Sequence, residues 1–380
     1  MIQNNKGKLL KIREMVLGGL RPFVAIGLAL IVSAVIILMF GSNPITAYAA
    51  LLKGAIGDVS GLANTGVRAA PLLLGGLGVA FAFRAGLLNI GIEGQLYIGA
   101  IAATAVGITP LPIPAPLHIA LAVIAGFLGG AVWMLIPGLL KAYRGVSEIV
   151  VTLMMNYVGI YLASYFVHGP LAEADAFYPQ SPPILASARL PILIEGTSLH
   201  GGLILGVVLG IALFFILQYT PFGFRTRLVG ANSETARYAG INIKKQLLLV
   251  LLISGGLGGL AGAGEILGLK GRFFDLFSNG LGSEAIAVAL LANSNPIGVI
   301  ISALFFGALK AGANNMQQVV GIETSIVTII QALSVLFVIG IGFINRIRKN
   351  PRQKVTSLDD NSSKVVEKEG AHGDFMGNAK

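Results

Sequence analysis

The stretch Arg84-Ala85-Gly86-Leu87-Leu88-Asn89-Ile90-Gly91-Ile92-Glu93-Gly94-Gln95-Leu96-Tyr97-Ile98-Gly99-Ala100 lies between two long apolar segments and decides how the chain folds. It places a carboxylate, that of Glu93, where the flanking sequence predicts lipid. A charged side chain at membrane depth costs roughly 2.5 to 3.5 kcal/mol on insertion scales, so it normally faces protein or a water-filled path. Lipid tolerates a broken helix only where protein or water covers the freed backbone groups. Four glycines favour such a break or a close approach of backbones: Gly86, Gly91, Gly94 and Gly99.

The composition of the whole chain indicates a membrane protein. Of its 380 residues, 55% are hydrophobic and 12% are charged, against about 25% charged residues in ordinary soluble domains. The net charge is +10, but the basic residues lie at segment ends and tails without interleaved aromatics, which argues against nucleic-acid binding. The chain has no cysteine and four scattered histidines. We therefore expect no metal site and no cofactor.

Apolar segments of about 20 residues predict an all-α fold with about ten transmembrane helices. Seven of them are clear: Pro22 to Phe40, Thr65 to Phe83, Leu87 to Gly107, Leu117 to Leu140, Glu148 to His168, Leu199 to Tyr219 and Gln246 to Leu269. The remaining sequence predicts two shorter pieces and a long last helix: Leu281 to Ala292, Ile297 to Gly312 and Glu323 to Ile344.

The distribution of Lys and Arg predicts the orientation of these spans, because cytoplasmic loops carry the excess of positive charge. If both termini are cytoplasmic, only six of the 27 basic residues fall on the outer side: Lys53, Arg68, Arg189, Lys270, Arg272 and Lys310. This orientation divides the chain into a basic cytoplasmic segment, 1–21, a transmembrane domain, 22–345, and a charged cytoplasmic tail, 346–380. We expect the tail to be disordered because it mixes charges and small polar residues without periodicity.

Two parts of the chain resemble each other. In each, a glycine-rich helix leads through a broken polar stretch into a span with a carboxylate: Thr65 to Ala100 contains Glu93, and Gln246 to Ala292 contains Glu284. In the ten-span topology the two copies run in opposite directions. Inverted repeats with matching broken helices indicate the central pathway of a transporter. A glycine bias shared by two unrelated segments is the alternative.

Polar side chains near the predicted breaks are candidates for a substrate pathway: Asn89, Glu93, Gln95, Asn156, Tyr157 and Glu284. Hydrogen bonding between packed helices is the alternative explanation for the amides. For Glu93 we expect a structural role beside the pathway rather than contact with a ligand. Ser147 and Glu148 are interpreted as the cap of the fifth span.

The segment Thr220 to Asn242, here called the coupling segment, is the most structured polar part of the chain. It predicts a short basic helix from Glu234 to Tyr238, capped by Asn232 or Ser233 and ended by Gly240. We expect this helix to face the cytoplasm and bind a partner protein, the alternative being a helix on the membrane surface. The residues on which docking depends are Thr220, Pro221, Gly223, Arg225, Gly230, Asn232, Ala236, Arg237 and Gly240.

The longest outer loop, Gly169 to Ser198, is either a lid or docking surface or a plain connector. The sequence contains no phosphate-binding loop of the type Gly-x-x-x-x-Gly-Lys-Ser/Thr and no nucleophile paired with a base. We therefore expect a protein that is not an enzyme. Energy for transport has to come from an ion gradient or from a partner ATPase.

Three runs of sequence together resemble a known family: Arg84 to Gln95, Ser147 to Tyr157, and Thr220 to Asn242. They are similar to the permease subunits of bacterial ABC importers in the ribose/branched-chain amino acid permease superfamily. The resemblance extends from Phe23 to Ile344. The run from Phe40 to Gly54 and the basic N-terminal segment are most similar to the larger permease of nucleoside (guanosine) importers.

This resemblance implies a non-catalytic permease in the bacterial cytoplasmic membrane. It implies a second, homologous permease, two copies of a cytoplasmic ATPase and an extracellular substrate-binding lipoprotein as partners, with the coupling segment docked on the ATPase. Two alternatives stay open. The first is a permease for simple sugars such as ribose or galactose, and the second is an ion-coupled secondary transporter in which Glu93 and Glu284 bind protons or sodium.

Overall fold

The computed structural model describes residues 24–174 and 176–349, with side chains described as far as residue 341. Within these residues the chain forms helices and no β-strand. The helices are α1 (Val24–Met39), α2 (Pro44–Ile56), α3 (Val59–Arg84), α4 (Ile92–Gly107), α5 (Ala115–Arg144), α6 (Glu148–His168), α7 (Gly202–Tyr219), α8 (Pro221–Ala231), α9 (Ser233–Tyr238), α10 (Ile243–Gly264), α11 (Leu281–Leu291), α12 (Pro296–Val320) and α13 (Ser325–Lys349). A π-helical turn, Glu265–Lys270, extends α10.

The predicted class, an all-α polytopic membrane protein, is confirmed. Six described helices are long and apolar enough to cross a membrane, namely α3, α5, α6, α7, α10 with its π turn, and α12. Helices α1 and α2, which meet at an angle of 118°, form a further span if they are counted together. Because α11 has 11 residues, it is about 16 Å long and shorter than the hydrocarbon core. The count of ten spans stays a prediction.

Helix α2 was not predicted and helix α12 is longer than predicted, and the two helices pack on each other. The prediction contained no helix at Pro44–Ile56 and ended the ninth segment at Gly312, whereas α12 continues to Val320. Helix α2 packs on α12, and the Asn315 amide donates to the carbonyl of Ala50 at 2.6 Å. The Asn315 amide, which lies beyond the predicted end of the segment at Gly312, is therefore satisfied by the unpredicted helix.

The core of the molecule is built around α3 and α10. Their most apolar windows are 89% and 72% buried, whereas those of α5 and α6 are 22% buried. Helices α4, α5 and α10 pack closely because glycines face one another: a Cβ at Gly99 would overlap the backbone of Gly259, and one at Gly130 would overlap Gly255. The close approach predicted for the glycines of α4 is confirmed at Gly99.

The predicted break in the third span is confirmed, but the helix begins later than predicted. Helix α3 ends at Arg84 and α4 starts at Ile92 rather than at Leu87. Gly86 turns the chain with φ of +74°, a conformation that glycine adopts without steric cost. Residues 85–91, here called the α3–α4 break, then run without helical structure because other helices supply their hydrogen bonds.

Several predictions lie outside the described residues. These are the basic segment 1–21, the outer-loop residue Asp175 and the tail beyond residue 349. The tail was predicted from residue 346, and α13 includes the first four of those positions, as far as Lys349. The division of the chain into three regions stays a prediction.

Candidate functional site

Hydrogen bonds to distant parts of the chain fasten the α3–α4 break and the residues on either side of it. The Arg84 guanidinium donates from Nε to the carbonyl of Ser294 at 2.7 Å. From α6, the Asn156 amide donates to the carbonyl of Ile90 at 2.9 Å and accepts from the backbone N–H of Gly94 at 2.8 Å. Asn156, a predicted pathway residue, therefore uses both ends of its amide to join α6 to the start of α4.

Glu148 lies in the first turn of α6, as predicted, and in addition it fastens the break. Its carboxylate accepts from the Leu88 N–H at 3.2 Å and from the Lys141 ammonium at 2.7 Å. The side chain of Ser147 makes no capping hydrogen bond. The expected side-chain cap at Ser147 is therefore wrong, and the Glu148 carboxylate joins the start of α6 to the break and to the end of α5.

Asn89 and Gln95 form one buried network. Each amide bonds the other, at 3.0 and 3.2 Å, and Asn89 donates to the Ser254 hydroxyl at 2.8 Å. Ser254 in turn donates to the carbonyl of Gly78 at 2.7 Å. The three side chains are at most 1% exposed. Their geometry supports helix-to-helix hydrogen bonding between α3, the break, α4 and α10 more than contact with a solute.

Glu93 lies where two helices begin. It is in the first turn of α4, and its carboxylate accepts from the backbone N–H of Gly282 at 2.6 Å and of Gly280 at 3.3 Å, at the start of α11. The first N–H groups of a helix have no partner inside the helix and carry a partial positive charge. Two helix N-termini thus stabilise one negative charge, which explains how a carboxylate 8% exposed is accommodated.

A cavity of about 360 Å³, here called the α6 cavity, opens beside Glu93 between α4, α6 and the start of α11. It brings together three of the six predicted pathway residues, Glu93, Asn156 and Tyr157. Tyr157 is exposed and leaves its ring and hydroxyl free for contact. Asn89 and Gln95 do not line the α6 cavity.

Glu284 lies apart from this cavity. Both of its carboxylate oxygens accept from the Lys310 ammonium of α12 at 2.7 Å. It occupies the first turn of α11 as Glu93 occupies the first turn of α4. The two predicted repeat units thus share a long central helix, a break and a short helix with an acidic first turn. Their inversion stays a prediction.

The coupling segment contains two helices, of which only the second, α9, was predicted. Helix α8 begins at Pro221, and the hydroxyl of Thr220 accepts from the Gly223 N–H at 3.1 Å. The Asn232 side chain caps α9 by accepting from the Thr235 N–H at 3.0 Å, and Gly240 follows with φ of +76°. The predicted cap and the predicted end of this helix are confirmed.

The coupling segment packs directly on the α3–α4 break. A Cβ added to Gly230 of α8 would lie 2.8 Å from the Ala85 carbonyl carbon, and one added to Gly86 would lie 3.3 Å from the Gly230 Cα. A cavity of about 490 Å³ between the two segments is lined by residues from both, including Gly86 and Arg237, and by Lys141 of α5. The coupling segment and the α3–α4 break are therefore in direct backbone contact, next to the residues that lead to Glu93.

The outer loop, Gly169 to Ser198, is bound to the end of α10 and the loop that follows it. The Ser181 N–H donates to the Phe273 carbonyl at 2.8 Å and the Leu190 N–H to the Leu267 carbonyl at 3.0 Å. Glu173 pairs with Arg272. These contacts describe a loop that covers one end of α10, and they leave both interpretations of the loop open.

Sequence reasoning missed Glu265, which is 5% exposed in the π turn of α10. It lines a second cavity, of about 350 Å³, here called the α10 cavity. The signal was present, because a glutamate inside the predicted span Gln246 to Leu269 is as costly as Glu93. The prediction concentrated on the carboxylates that follow a break, and Glu265 precedes one.

Membrane-length helices surround two short helices whose acidic first turns lie at breaks, and this arrangement is typical of a multi-pass membrane transporter. The chain belongs to the family described as "Branched-chain amino acid transport system / permease component", whose model matches residues 61–344.

Its relatives include permeases with named substrates. It is 39% identical over 326 residues to the "Guanosine ABC transporter permease protein NupP" of Bacillus subtilis, covering 83% of this chain and 92% of that relative. It is 35% identical to the "Glucose ABC transporter permease protein TsgB13" of Haloferax volcanii, covering 86% and 88%. It is 32% identical to the "Nucleoside ABC transporter permease protein NupB" of Lactococcus lactis, covering 91% and 97%. The same Bacillus and Lactococcus strains each have a second, more distant match, NupQ and NupC.

Proposed function

We propose that this chain is the permease subunit of an ATP-driven ABC importer for nucleosides and forms part of the translocation pathway. The observation that carries the proposal is the coupling segment: a basic pair of capped helices in contact with the break that leads to Glu93. An ion-coupled carrier needs no such docking element. The similarity to NupP over most of both chains supports guanosine or a related nucleoside as substrate.

The proposed assembly contains a second, homologous permease, two copies of a cytoplasmic ATPase and an extracellular substrate-binding lipoprotein. The paired relatives NupP with NupQ and NupB with NupC support the second permease. The chain itself is non-catalytic. It lies in the bacterial cytoplasmic membrane with both termini in the cytoplasm, as the excess of Lys and Arg on that side predicts.

In the proposed mechanism the chain converts movement of the ATPase into movement of the pathway. ATP binding draws the two ATPase subunits together and displaces α8 and α9. Contact between Gly230 and Gly86 passes this displacement to the α3–α4 break. The break is continuous with α4, so Glu93 and the start of α11 move together, and the α6 cavity beside them opens or closes.

The proposal is tested by reconstituting the complete importer in proteoliposomes and measuring uptake of labelled guanosine with and without ATP. We expect uptake that requires ATP, the ATPase and the binding protein, and that excess adenosine or inosine reduces. Uptake by this chain alone, driven by a proton or sodium gradient, would overturn the proposal.

A simple sugar is the second candidate substrate, because TsgB13 is a glucose permease and is 35% identical to this chain. The same proteoliposomes distinguish the two substrates when labelled glucose, ribose and galactose are offered in parallel. Uptake of a free sugar without uptake of guanosine would replace the nucleoside by the sugar and leave the ABC importer mechanism in place.

A further inference from the structure

The α10 cavity has a buried floor and a polar rim. Glu265, Phe277 and Ser278 at its floor are at most 5% exposed. Asn64 and Arg68 of α3 at its rim are exposed. Its volume of about 350 Å³ lies within the range of roughly 300 to 1,000 Å³ that is typical of small-molecule sites. Neither the pathway prediction nor the coupling mechanism uses this cavity.

Glu265 presents a buried carboxylate without a hydrogen bond. Among the described residues no donor lies within hydrogen-bond distance of either carboxylate oxygen, and the nearest cation, the Lys270 ammonium, is 3.8 Å away. Buried carboxylates normally accept several hydrogen bonds. The residue begins a π-helical turn, a local distortion that occurs frequently at functional sites.

The cations around Glu265 are largely engaged elsewhere. The Lys310 ammonium bonds both carboxylate oxygens of Glu284. The Lys270 ammonium forms an ion pair with Glu265 that is too long for a hydrogen bond, 3.8 Å, and it also lies over the ring of Phe274, 5.0 Å from its centre. Arg68 lies at the exposed rim. The unused hydrogen-bonding capacity at the floor of the cavity is therefore that of an acceptor, the Glu265 carboxylate.

These groups restrict the ligand by its chemistry. The three cations that line the cavity disfavour a cationic ligand, and the free carboxylate at its floor bonds only a ligand group that donates a hydrogen. A neutral ligand with two adjacent hydroxyl donors matches the two oxygens of one carboxylate. Ser198 and Asn279 on the rim offer further polar contacts. A sugar ring, free or as the ribose of a nucleoside, has this pair of hydroxyls.

We infer that the α10 cavity binds the transported solute through the vicinal hydroxyls of its sugar ring, with the Glu265 carboxylate as their acceptor. The inference rests on the proposed function. Asn279 lines both this cavity and the α6 cavity. The cavity of Glu265 is therefore next to the cavity that Glu93 and Tyr157 line. Glu265 is thus a specificity-determining residue for the ribose.

The test compares guanosine with 2′,3′-dideoxyguanosine, which lacks both hydroxyls, in the complete importer with saturating binding protein. The wild type should take up guanosine more efficiently than the dideoxy analogue. Glu265→Gln should reduce this preference by about tenfold, because a hydrogen bond to a charged group is lost. The reduction should arise from slower guanosine uptake, with uptake of the analogue unchanged.

Two further variants complete the test. Glu265→Asp keeps the charge but shortens the side chain, and it should also reduce the preference for guanosine over the dideoxy analogue. It serves as the test variant if Glu265→Gln fails to assemble. Glu323→Gln changes an exposed carboxylate that lines neither cavity, and it should behave as the wild type. An unchanged preference in an assembled Glu265 variant overturns this inference and leaves the proposed function intact.

Labelled glucose, offered in the same experiment, decides whether the bound sugar ring is a free sugar or the ribose of a nucleoside. If the importer carries free sugar, the wild type takes up glucose instead of guanosine, and Glu265→Gln should slow glucose uptake about tenfold. A wild type that takes up neither solute with ATP overturns both the inference and the proposed function. Loss of the guanosine preference with normal assembly supports both.

Discussion

At the scale of single residues, the polar side chains of this chain form two groups: those whose hydrogen bonds are made to other helices, and those that retain groups available to a ligand. Asn89, Gln95 and Asn156 are engaged with other helices. Glu93 is engaged with the start of α11. Tyr157 and Glu265 retain free groups that face cavities. From the sequence, the predicted pathway residues could be chosen only by type and position, because contacts such as Asn89 with Ser254 and Glu93 with Gly282 join distant parts of the chain.

Glu93 provides the first prediction. Replacing it by Ala should leave two N–H groups at the start of α11 without an acceptor, at a cost of about 1 to 3 kcal/mol for each group. Glu93→Gln keeps one acceptor oxygen and should lose less stability. Thermal unfolding of the purified permease measures both, and an unchanged Tm for Glu93→Ala would contradict the role assigned to the carboxylate.

His200, just before α7, provides a prediction on pH. It is 1% exposed, its Nδ1 accepts from the Gly202 N–H at 3.2 Å, and Nε2 has no partner among the described residues. Burial lowers the pKa of His200 to about 4, from about 6.5 in an unfolded chain. The folded state therefore favours the neutral ring, which contributes full stability above pH 6.5. That contribution, about 3 kcal/mol, is lost as the pH falls toward 4.

The measurement is the difference in Tm between pH 7 and pH 4.5. The wild type should lose more stability over this interval than His200→Gln, which cannot be protonated. His168→Gln, which changes an exposed histidine at the end of α6, should retain the wild-type pH dependence. An equal loss of Tm in the wild type and His200→Gln would contradict the assignment.

At the scale of elements, the sequence predicted helices well where capping and apolar length agree. It predicted α9 with its cap and its end. It missed α2 and α8, although each begins with a capping residue followed by proline, Asn43-Pro44 and Thr220-Pro221, which is a recognised start signal. Both helices are short, 13 and 11 residues, and lie next to a longer span, so the search for apolar segments of membrane length passed over them.

The contact between α8 and the α3–α4 break provides the element-scale prediction. Gly230→Ala places a methyl group against the backbone of residues 84–86. The resulting overpacking should cost about 1 to 3 kcal/mol and should lower ATP-dependent uptake. Gly340→Ala adds the same methyl group in open space and should be neutral or slightly stabilising. Wild-type Tm and uptake in Gly230→Ala would contradict the proposed transmission.

At the scale of the whole molecule, the chain is a helical scaffold in which two buried helices, α3 and α10, each lead through a break into a short helix. The N-terminus of α11 meets Glu93 of α4, and the coupling segment meets the break that precedes α4. One end of the molecule is therefore connected to its centre through residues 85–93. A docking defect should accordingly separate ATP hydrolysis from uptake without dismantling the fold.

The whole-molecule prediction concerns this separation. In the assembled importer, Arg237→Glu combined with Gly240→Ala should lower uptake per ATP hydrolysed by about tenfold, equivalent to roughly 1.4 kcal/mol of lost coupling. Arg237 is an exposed cation of α9, and Gly240 has φ of +76°. Arg144→Glu reverses an exposed charge outside the coupling segment and should retain coupling. Normal uptake per ATP in the double variant would exclude this segment as the coupling element.

The sequence by itself determined the membrane class, the break between α3 and α4, and the capped helix of the coupling segment. Each of these is local or compositional: apolar length, glycine and capping residues act within a few positions of the chain. Only the tertiary structure decided that Glu93 binds the start of α11, that Asn89 pairs with Ser254, and that Glu265 faces a cavity. These contacts join residues up to 189 positions apart. Helices in lipid are apolar on faces toward protein and toward lipid alike, so the sequence pattern does not indicate which faces meet.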